Sequence, residues 1–529
     1  MGGELRYLTA HSAGMVDAHL IPQDKVFNQF LADNRGAFPQ LNQVSPNRWS
    51  LLLRDSTLLL PELRTNIQYR QVSDDYYLQD FSGNPAILTQ NQILRQGDVT
   101  YTTDNWVLSG MLQSYLTLHP VTQGVVGDTY ERWPQLAAHG TYRKLPMGAT
   151  FNLFSQFDYF TWPSRQAPFY QQTLPSGPRY HLNPVLSLPN LKPWGYFTPS
   201  LELVENVYAV HYALPLSEQS FQRTFYRASV DSGLTFERSI GNYTQTLEPR
   251  LFYLNVPYRN QTSVPVYESG YMMFNTDQLF RTNRFAGFDR IGDANHLAYA
   301  VTSRFLRDSD GQEKASLTLG QIRYFSDRQV ELCYQKNGTC ADSPFSIGYL
   351  SPVTQFSPIA AHGLYHINSA LSLTGDYVWD PYTRMTNSDN VNIHYQSEDN
   401  RIVSLGYTYL ANTQLLSIAP DSALRQATLA YTTPLTDRWS SFGVYSYDIS
   451  QRYSMLGFLG LQYENCCWAV RLMGGKTFWK LSPGTSGTLQ PEYQTSVYFQ
   501  VLLKGLGTVA SSDPSTILRT YLPEMRQVF

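Results

Sequence analysis

Apolar residues recur at every second position over long stretches of this chain. Between Val391 and Tyr409 they fall on odd numbers, at Val391, Ile393, Tyr395, Val403, Leu405, Tyr407 and Tyr409. The even positions carry Asn392, His394, Gln396, Ser404, Gly406 and Thr408, and Ser397–Asn400 ("SEDN") breaks the run. Successive strand side chains point to opposite faces, so this pattern predicts a hairpin with one greasy and one polar side. The same phase returns at Phe151, Leu153, Phe157 and Tyr159, with Asn152, Gln156 and Asp158 opposite. It returns at Leu371, Leu373, Tyr377 and Trp379 before a turn at Asp380–Pro381, at Ala427, Leu429 and Tyr431, and at Val497, Phe499, Val501 and Leu503. The predicted strands run to about 8–11 residues, which suits a tilted membrane strand better than a soluble sheet.

No heptad, helical repeat or low-complexity tract interrupts this pattern, and no linker divides the chain. Thr161–Tyr180 is proline-rich and reads as a long loop, and Pro257–Asn295 reads as an elaborate outer loop with weak strand signals. At about 22 residues per strand and connection, the length supports roughly 22–26 strands. A barrel that wide encloses a lumen its own side chains cannot fill, so something must plug it.

Composition points the same way. Aromatic residues make up 14% and charged residues only 15% of the chain, against about 25% charged in a typical soluble domain. Mean hydropathy is nonetheless negative, and the longest apolar-plus-glycine run, Met455–Leu461, is far short of the ~20 residues of a membrane helix. The expected fold is all-β, a large antiparallel transmembrane β-barrel with long extracellular loops. A large soluble β-protein is the alternative on composition alone. A net charge of −3 implies neither a nucleic-acid partner nor an anionic-surface binder. The opening "MGGELRYLTAHSAGM" has no basic region followed by an apolar core, so it is not a secretory signal. An outer-membrane protein needs one, so the barrel reading expects a missing beginning.

Candidate chemistry is sparse. Ten histidines are scattered, without HExxH or zinc-type Cys/His spacing, and there is no GxSxG, phosphate loop or dinucleotide fingerprint. No catalytic residue, metal ligand or cofactor is assigned; polar residues such as His394 and Gln500 read as wet wall. The four cysteines carry the sharper signal. Cys333 and Cys340 flank Asn337–Gly338 in "CYQKNGTC", which suits a local loop disulfide, two loop thiols being the alternative. Its "NGT" also matches a glycosylation acceptor, taken as a coincidence. Cys466 and Cys467 lie side by side in "YENCCWAVRL", which reads as strand. Neighbouring strand residues face apart, so the two are not placed to bond each other. They stay reduced, bind something, or reach two separate partners. With the first pair closed locally, an oxidising compartment would imply cysteines elsewhere; a buried reduced pair is the alternative.

Several blocks resemble the LptD family, the outer-membrane lipopolysaccharide-assembly proteins of Gram-negative bacteria. They are "GNYTQTLEPRLFYLNVPYRNQ" (Gly241–Gln261), "FRTNRFAGFDRIGDANHLAYAVTSRF" (Phe280–Phe305), "GQIRYFSDR" (Gly320–Arg328) and "NCCWAVRL". "HLIPQDKVFN" (His19–Asn28), "QVSDDYYLQDF" (Gln71–Phe81) and "YHLNPVLSLP" (Tyr180–Pro189) are also similar. The motif residues are Glu248, Pro249, Arg250, Pro257, Tyr258, Arg259, Asp289, Arg290 and Asn295.

The resemblance implies that Cys466 and Cys467 each bond a cysteine of an N-terminal periplasmic jellyroll. It implies that residues 1–529 are the barrel portion, with residues 507–529 as a tail, and that the signal, the jellyroll and the first two of 26 strands are absent, leaving a β-barrel of about 24 strands. The last strand, with Val497, Phe499, Val501 and Leu503, would form one side of a lateral gate, and the first strand the other. The implied function is insertion of lipopolysaccharide into the outer leaflet, without making or breaking a bond. The implied partners are an LptE-type lipoprotein plug, an LptA-type periplasmic bridge, outer-membrane lipids and the barrel-assembly machinery. A general porin or siderophore-type transporter is the second reading, and an outer-membrane hydrolase the third.

Overall fold

The computed structural model describes residues 2–81, 92–121, 128–163, 174–213, 216–332, 334–336, 339–341, 351–411, 423–483, 489–503, 507–508 and 522. Twenty-six strands belong to one sheet, and the pairings with described registers are all antiparallel between successive strands. Asn190–Lys192 continues Gly177–Ser187 along the edge of Gly195–Ala213, and Phe236–Ile240 continues Leu216–Leu234 along Tyr243–Val256. With these joined, and the two-residue Gly507–Thr508 set aside, twenty-three long strands remain, close to the expected count. Gly2–Leu8 pairs only with Ser12–Ile21 among the described residues. Two short hairpins, Gly270–Tyr271 with Phe285–Ala286 and Tyr334–Lys336 with Thr339–Ala341, lie in connections. No described helix is long and apolar enough to cross a membrane.

The alternating pattern becomes two unlike faces. The predicted hairpin forms as Met385–Gln396 with Ile402–Leu410, Val391 facing Tyr407 and Ile393 facing Leu405. These four side chains are exposed, as are Leu317, Leu319, Leu429, Leu459 and Leu472 on neighbouring strands. A water-facing sheet does not carry apolar surface on this scale; a lipid-facing one does. The other face buries Gln156, Asp158, Arg179 and His181 in one region, and Ser446, Gln462, Arg471 and Gln500 in another.

The chain divides into two compact units, Met1–Ser187 with Leu201–Tyr226, and Leu188–Ser200 with Arg227–Phe529. In the first, the segments following Ile21 and Val72 pack into a cap. Lys25–Asn34 is a helix whose first turn is held by Asp24, its carboxylate accepting from the N–H groups of Val26 and Phe27 at 3.1 Å. Phe27, Leu31, Leu41 and Tyr76 form its core. Beneath them Arg48, 1% exposed, donates to Asp74 at 2.9 and 3.0 Å and to Asp80 at 2.6 Å. The resemblance blocks His19–Asn28 and Gln71–Phe81 thus meet at one guanidinium.

In the second unit, the turns after Arg307, His366, Gln396, Pro434 and Glu464 are short, while long connections follow Val256 and Tyr324 at the opposite end. The connection after Val256 holds two short strands, Gly270–Tyr271 and Phe285–Ala286, and is not a loose excursion. It folds back as a packed segment, with Val264, Leu279, Asp289, Arg290 and Ile291 almost completely buried. Small residues make this possible. Leu279 lies over Gly320, where a Cβ would overlap its Cδ1 and sit 2.9 Å from the Ala300 Cβ.

Candidate functional site

The strand Trp468–Pro483 joins the cysteines to the sheet edge. Its partner Tyr453–Glu464 precedes it, and Leu489–Leu503 follows, paired from Trp468↔Leu503 to Pro483↔Leu489. Cys466 and Cys467 are not inside a strand. They occupy the tight turn between Glu464 and Trp468, closed by the Asn465 N–H donating to the Trp468 carbonyl at 2.9 Å. The Asn465 carboxamide oxygen accepts from the Cys466 N–H at 2.8 Å. The alternation argument that put the two sulfurs on opposite faces therefore does not apply, and both cysteines are exposed. The flanking Trp-Ala-Val pattern had masked a turn that only Asn465 signalled.

The surroundings of the turn are aromatic. Trp439, Tyr463 and Trp468 form an aromatic patch beside it, with ring centroids 5.1 and 5.2 Å apart. Such belts sit at the membrane–water boundary, and short turns mark the periplasmic end of an outer-membrane sheet. The turn itself is one of the short ones and exposes both thiols.

The last long strand keeps the two-faced pattern. Val497 is 74% and Phe499 65% exposed, whereas Gln500 is 1% exposed. On the buried side Arg471 donates to the Gln462 carboxamide oxygen at 2.7 and 3.0 Å and to that of Gln500 at 3.0 Å. This row ties three successive strands, and Gln500 is part of it rather than plain wet wall. Beside it Ile402, Phe442, Val444, Phe458 and Met473 form an apolar cluster that Leu522 joins. Val501 is half-buried, and the side chain of Leu503 lies outside the described residues. Cys333 also lies outside them, as does the side chain of Cys340.

The motif residues gather around the packed segment. Arg250 holds Asp231 through Nε at 3.0 Å and Nη2 at 2.6 Å, and its guanidinium lies 3.8 Å over the Phe280 ring. Glu248 accepts from Arg304 at 3.2 Å, and Pro249 sits in mid-strand opposite Val301. One oxygen of Asp289 accepts from three successive N–H groups, those of Tyr267, Glu268 and Ser269, at 2.7–3.2 Å. Arg290 donates to the carbonyls of Val264, Asp289 and Glu331. Asn295 accepts from the Tyr253 hydroxyl at 3.0 Å. Tyr258 and Arg259 are exposed beyond Pro257 and take no part in this packing. Sequence reasoning missed Arg284, Asp293, His296 and Arg328, although each lies in a block it quoted; their role depends on burial, which no local pattern reports.

Comparison with known proteins joins these features. The family model "LPS transport system D" matches residues 46–439. The LPS-assembly protein LptD of Legionella pneumophila strain Paris is 51% identical over 99% of this chain and 63% of its own length. That of Pseudomonas aeruginosa strain LESB58 is 32% identical over 99% of this chain and 60% of its own. Among solved structures, the siderophore receptor PirA of P. aeruginosa is similar with a TM-score of 0.39 and 10% identity, covering 86% of this chain and 77% of that one. The chain thus spans under two thirds of the curated relatives it matches. With the two-faced antiparallel sheet and the quoted motif blocks, the family match over most of its length shows that this chain belongs to the LptD family of LPS-assembly proteins.

Proposed function

We propose that this protein is the barrel portion of an outer-membrane translocon that inserts lipopolysaccharide into the outer leaflet. The observation that carries the reading is the two-faced sheet of an LptD-family chain, apolar and exposed on one side, polar and buried on the other. Lipopolysaccharide has the same division. Its sugars need water and its acyl chains need hydrocarbon, so passage through a fully closed tube would strand one of them. A seam beside the last strand, Leu489–Leu503, lets the sugars follow the polar face while the chains leave sideways. The chemistry is transport, with no bond made or broken.

Cys466 and Cys467, exposed at the short-turn end, are the sulfurs that clamp a periplasmic jellyroll carrying its own cysteines. That domain would receive lipopolysaccharide from an LptA-type bridge, an LptE-type lipoprotein would fill the space behind the polar face, and the barrel-assembly machinery would fold the protein into the outer membrane. The test is depletion of the gene product in its own cell, followed by labelling of surface-exposed lipopolysaccharide. Newly made lipopolysaccharide should stop reaching the surface and accumulate inside. Normal surface labelling in depleted cells refutes the function. The clamp has a separate readout: a reduction-dependent shift on non-reducing gels, lost in C466S/C467S. Absence of that shift in the wild-type protein refutes the clamp alone.

A further inference from the structure

The packed segment and the strand ends beside it enclose a cavity of about 90 Å³, room for a group several times the size of a water molecule. Arg281, Asn283, Arg284, His296, Tyr324 and Arg328 contribute its polar lining. Two acidic residues also line it, against three guanidinium groups. Asp293 is already occupied: it accepts from Arg284 Nη2 at 2.9 Å, from the Val330 N–H at 3.0 Å and from the Gln329 N–H at 2.7 Å. Glu331 is exposed.

Arg328 is the unusual member. It is 7% exposed, and among the described residues no carboxylate lies within ion-pair distance of it. Its Nη2 donates to the Ser351 carbonyl and, at 3.0 Å, to the Thr354 hydroxyl, while its guanidinium lies 3.6 Å over the Tyr324 ring. Its Nη1 is buried without a hydrogen-bond partner among the described residues, and so is Nε2 of His296, a residue only 8% exposed. Among the described residues, then, a buried cation has no counter-ion within ion-pair distance and two residues lining one cavity each hold a buried unpaired nitrogen, all of them costly. Burial, with Arg284 nearby, pulls the Arg328 guanidinium below its ordinary pKa, partly offset by Tyr324 and by the more distant Asp293 carboxylate.

We propose that this cavity is a binding site for one phosphate-class oxyanion. Planar guanidinium forks match the oxygen spacing of phosphate, and charge-assisted donors of this kind are the strong ones. Arg328 Nη1 and His296 Nε2–H are the buried donors, and exposed Arg281 guards the entrance. A bound cation is excluded by the three guanidinium groups. The site stands at the long-connection end of the sheet, so inorganic phosphate and the phosphate of a glycolipid headgroup can both supply the group. The proposal does not depend on the transport reading.

The test is equilibrium dialysis of the detergent-purified full chain against radiolabelled inorganic phosphate. A second arm uses mixed micelles of phosphorylated lipid A and, for comparison, dephosphorylated lipid A. Binding should saturate at one group per chain. Arg328→Gln should weaken it at least about tenfold and Arg281→Gln about threefold, with Arg307→Gln, in a distant turn, unchanged. Binding of inorganic phosphate supports the site with the free ion as its ligand. Binding of phosphorylated lipid A alone supports it with a headgroup ligand. If neither probe binds, or if Arg281→Gln binds as the wild type does, the proposal is overturned. Arg281 is exposed, so its variant decides the matter even if Arg328→Gln fails to give the heat-modifiable folded band. Loss of surface lipopolysaccharide on depletion would leave this result unaffected, so the two readings fail separately.

Discussion

Arg48→Ala removes the cation on which the cap of the first unit is built. In the wild-type protein Arg48 meets Asp74 through two donors at 2.9 and 3.0 Å, with both side chains almost fully buried. Breaking a pair of this kind strands a carboxylate and costs about 3–5 kcal/mol. The Asp80 contact, at 2.6 Å with the Asp80 side chain 45% exposed, adds no more than about 1 kcal/mol. Phe27, with its ring 4.0 Å from the Arg48 guanidinium carbon, loses a desolvated cation–π contact of about 1–2 kcal/mol. These terms share one side chain and do not add, so a loss of about 4 kcal/mol is expected. Opening of the cap should rise on the order of a thousandfold. Native-state hydrogen exchange on the amides of Phe27–Leu31 reads that opening directly. Arg48→Lys should fall between the two, because it keeps the charge and loses the fork. A change below tenfold in Arg48→Ala would mean that the apolar cluster alone holds the cap and that the ion pairs are incidental.

Three further outcomes follow from the same geometry. Val497→Lys should lower the yield of heat-modifiable folded protein, losing about 2–4 kcal/mol if Val497 lies near the bilayer midplane, whereas Val497→Leu should not; equal yields refute a lipid-facing Val497. Gly320→Val should displace Leu279 and loosen the packed segment by about 1–3 kcal/mol, read as faster proteolysis within residues 276–293; unchanged cleavage refutes that contact. Burial raises the Asp75 carboxyl above its ordinary value of 3.8, against the lowering effect of the His119 backbone and ring, with Asp74 adding to the rise. A carboxyl whose folded value is raised contributes stability that is full below 3.8 and lost as pH rises through the folded value. The wild-type cap should therefore lose stability relative to Asp75→Asn as pH rises through that window, and parallel pH profiles would refute it.

The strands were legible because strand alternation is a local property. Val391, Ile393, Leu405 and Tyr407 fall on one face as soon as the backbone is extended, whatever lies around them. The packed segment was not legible because its burial is decided elsewhere, by Ala298, Ala300 and Gly320 on strands that leave room for Leu279. Those small residues at even positions were the available signal. The cysteine turn was misread for a related reason. Asn465 marks the reversal, but the apolar residues after it continue the strand pattern so smoothly that the break between Glu464 and Trp468 was read as strand. Arg328 and His296 lay inside quoted blocks, yet nothing in "GQIRYFSDR" says that this arginine lacks a carboxylate. Only the third dimension can show a buried cation with no carboxylate within ion-pair distance among the described residues.

The row Gln462–Arg471–Gln500 limits how the end of the sheet can move. Peeling Leu489–Leu503 away alone would break the Arg471–Gln500 bond and a long ladder together. The guanidinium fork therefore makes these three ribbons one stiff panel, with the exposed thiols on the turn that joins its first two members.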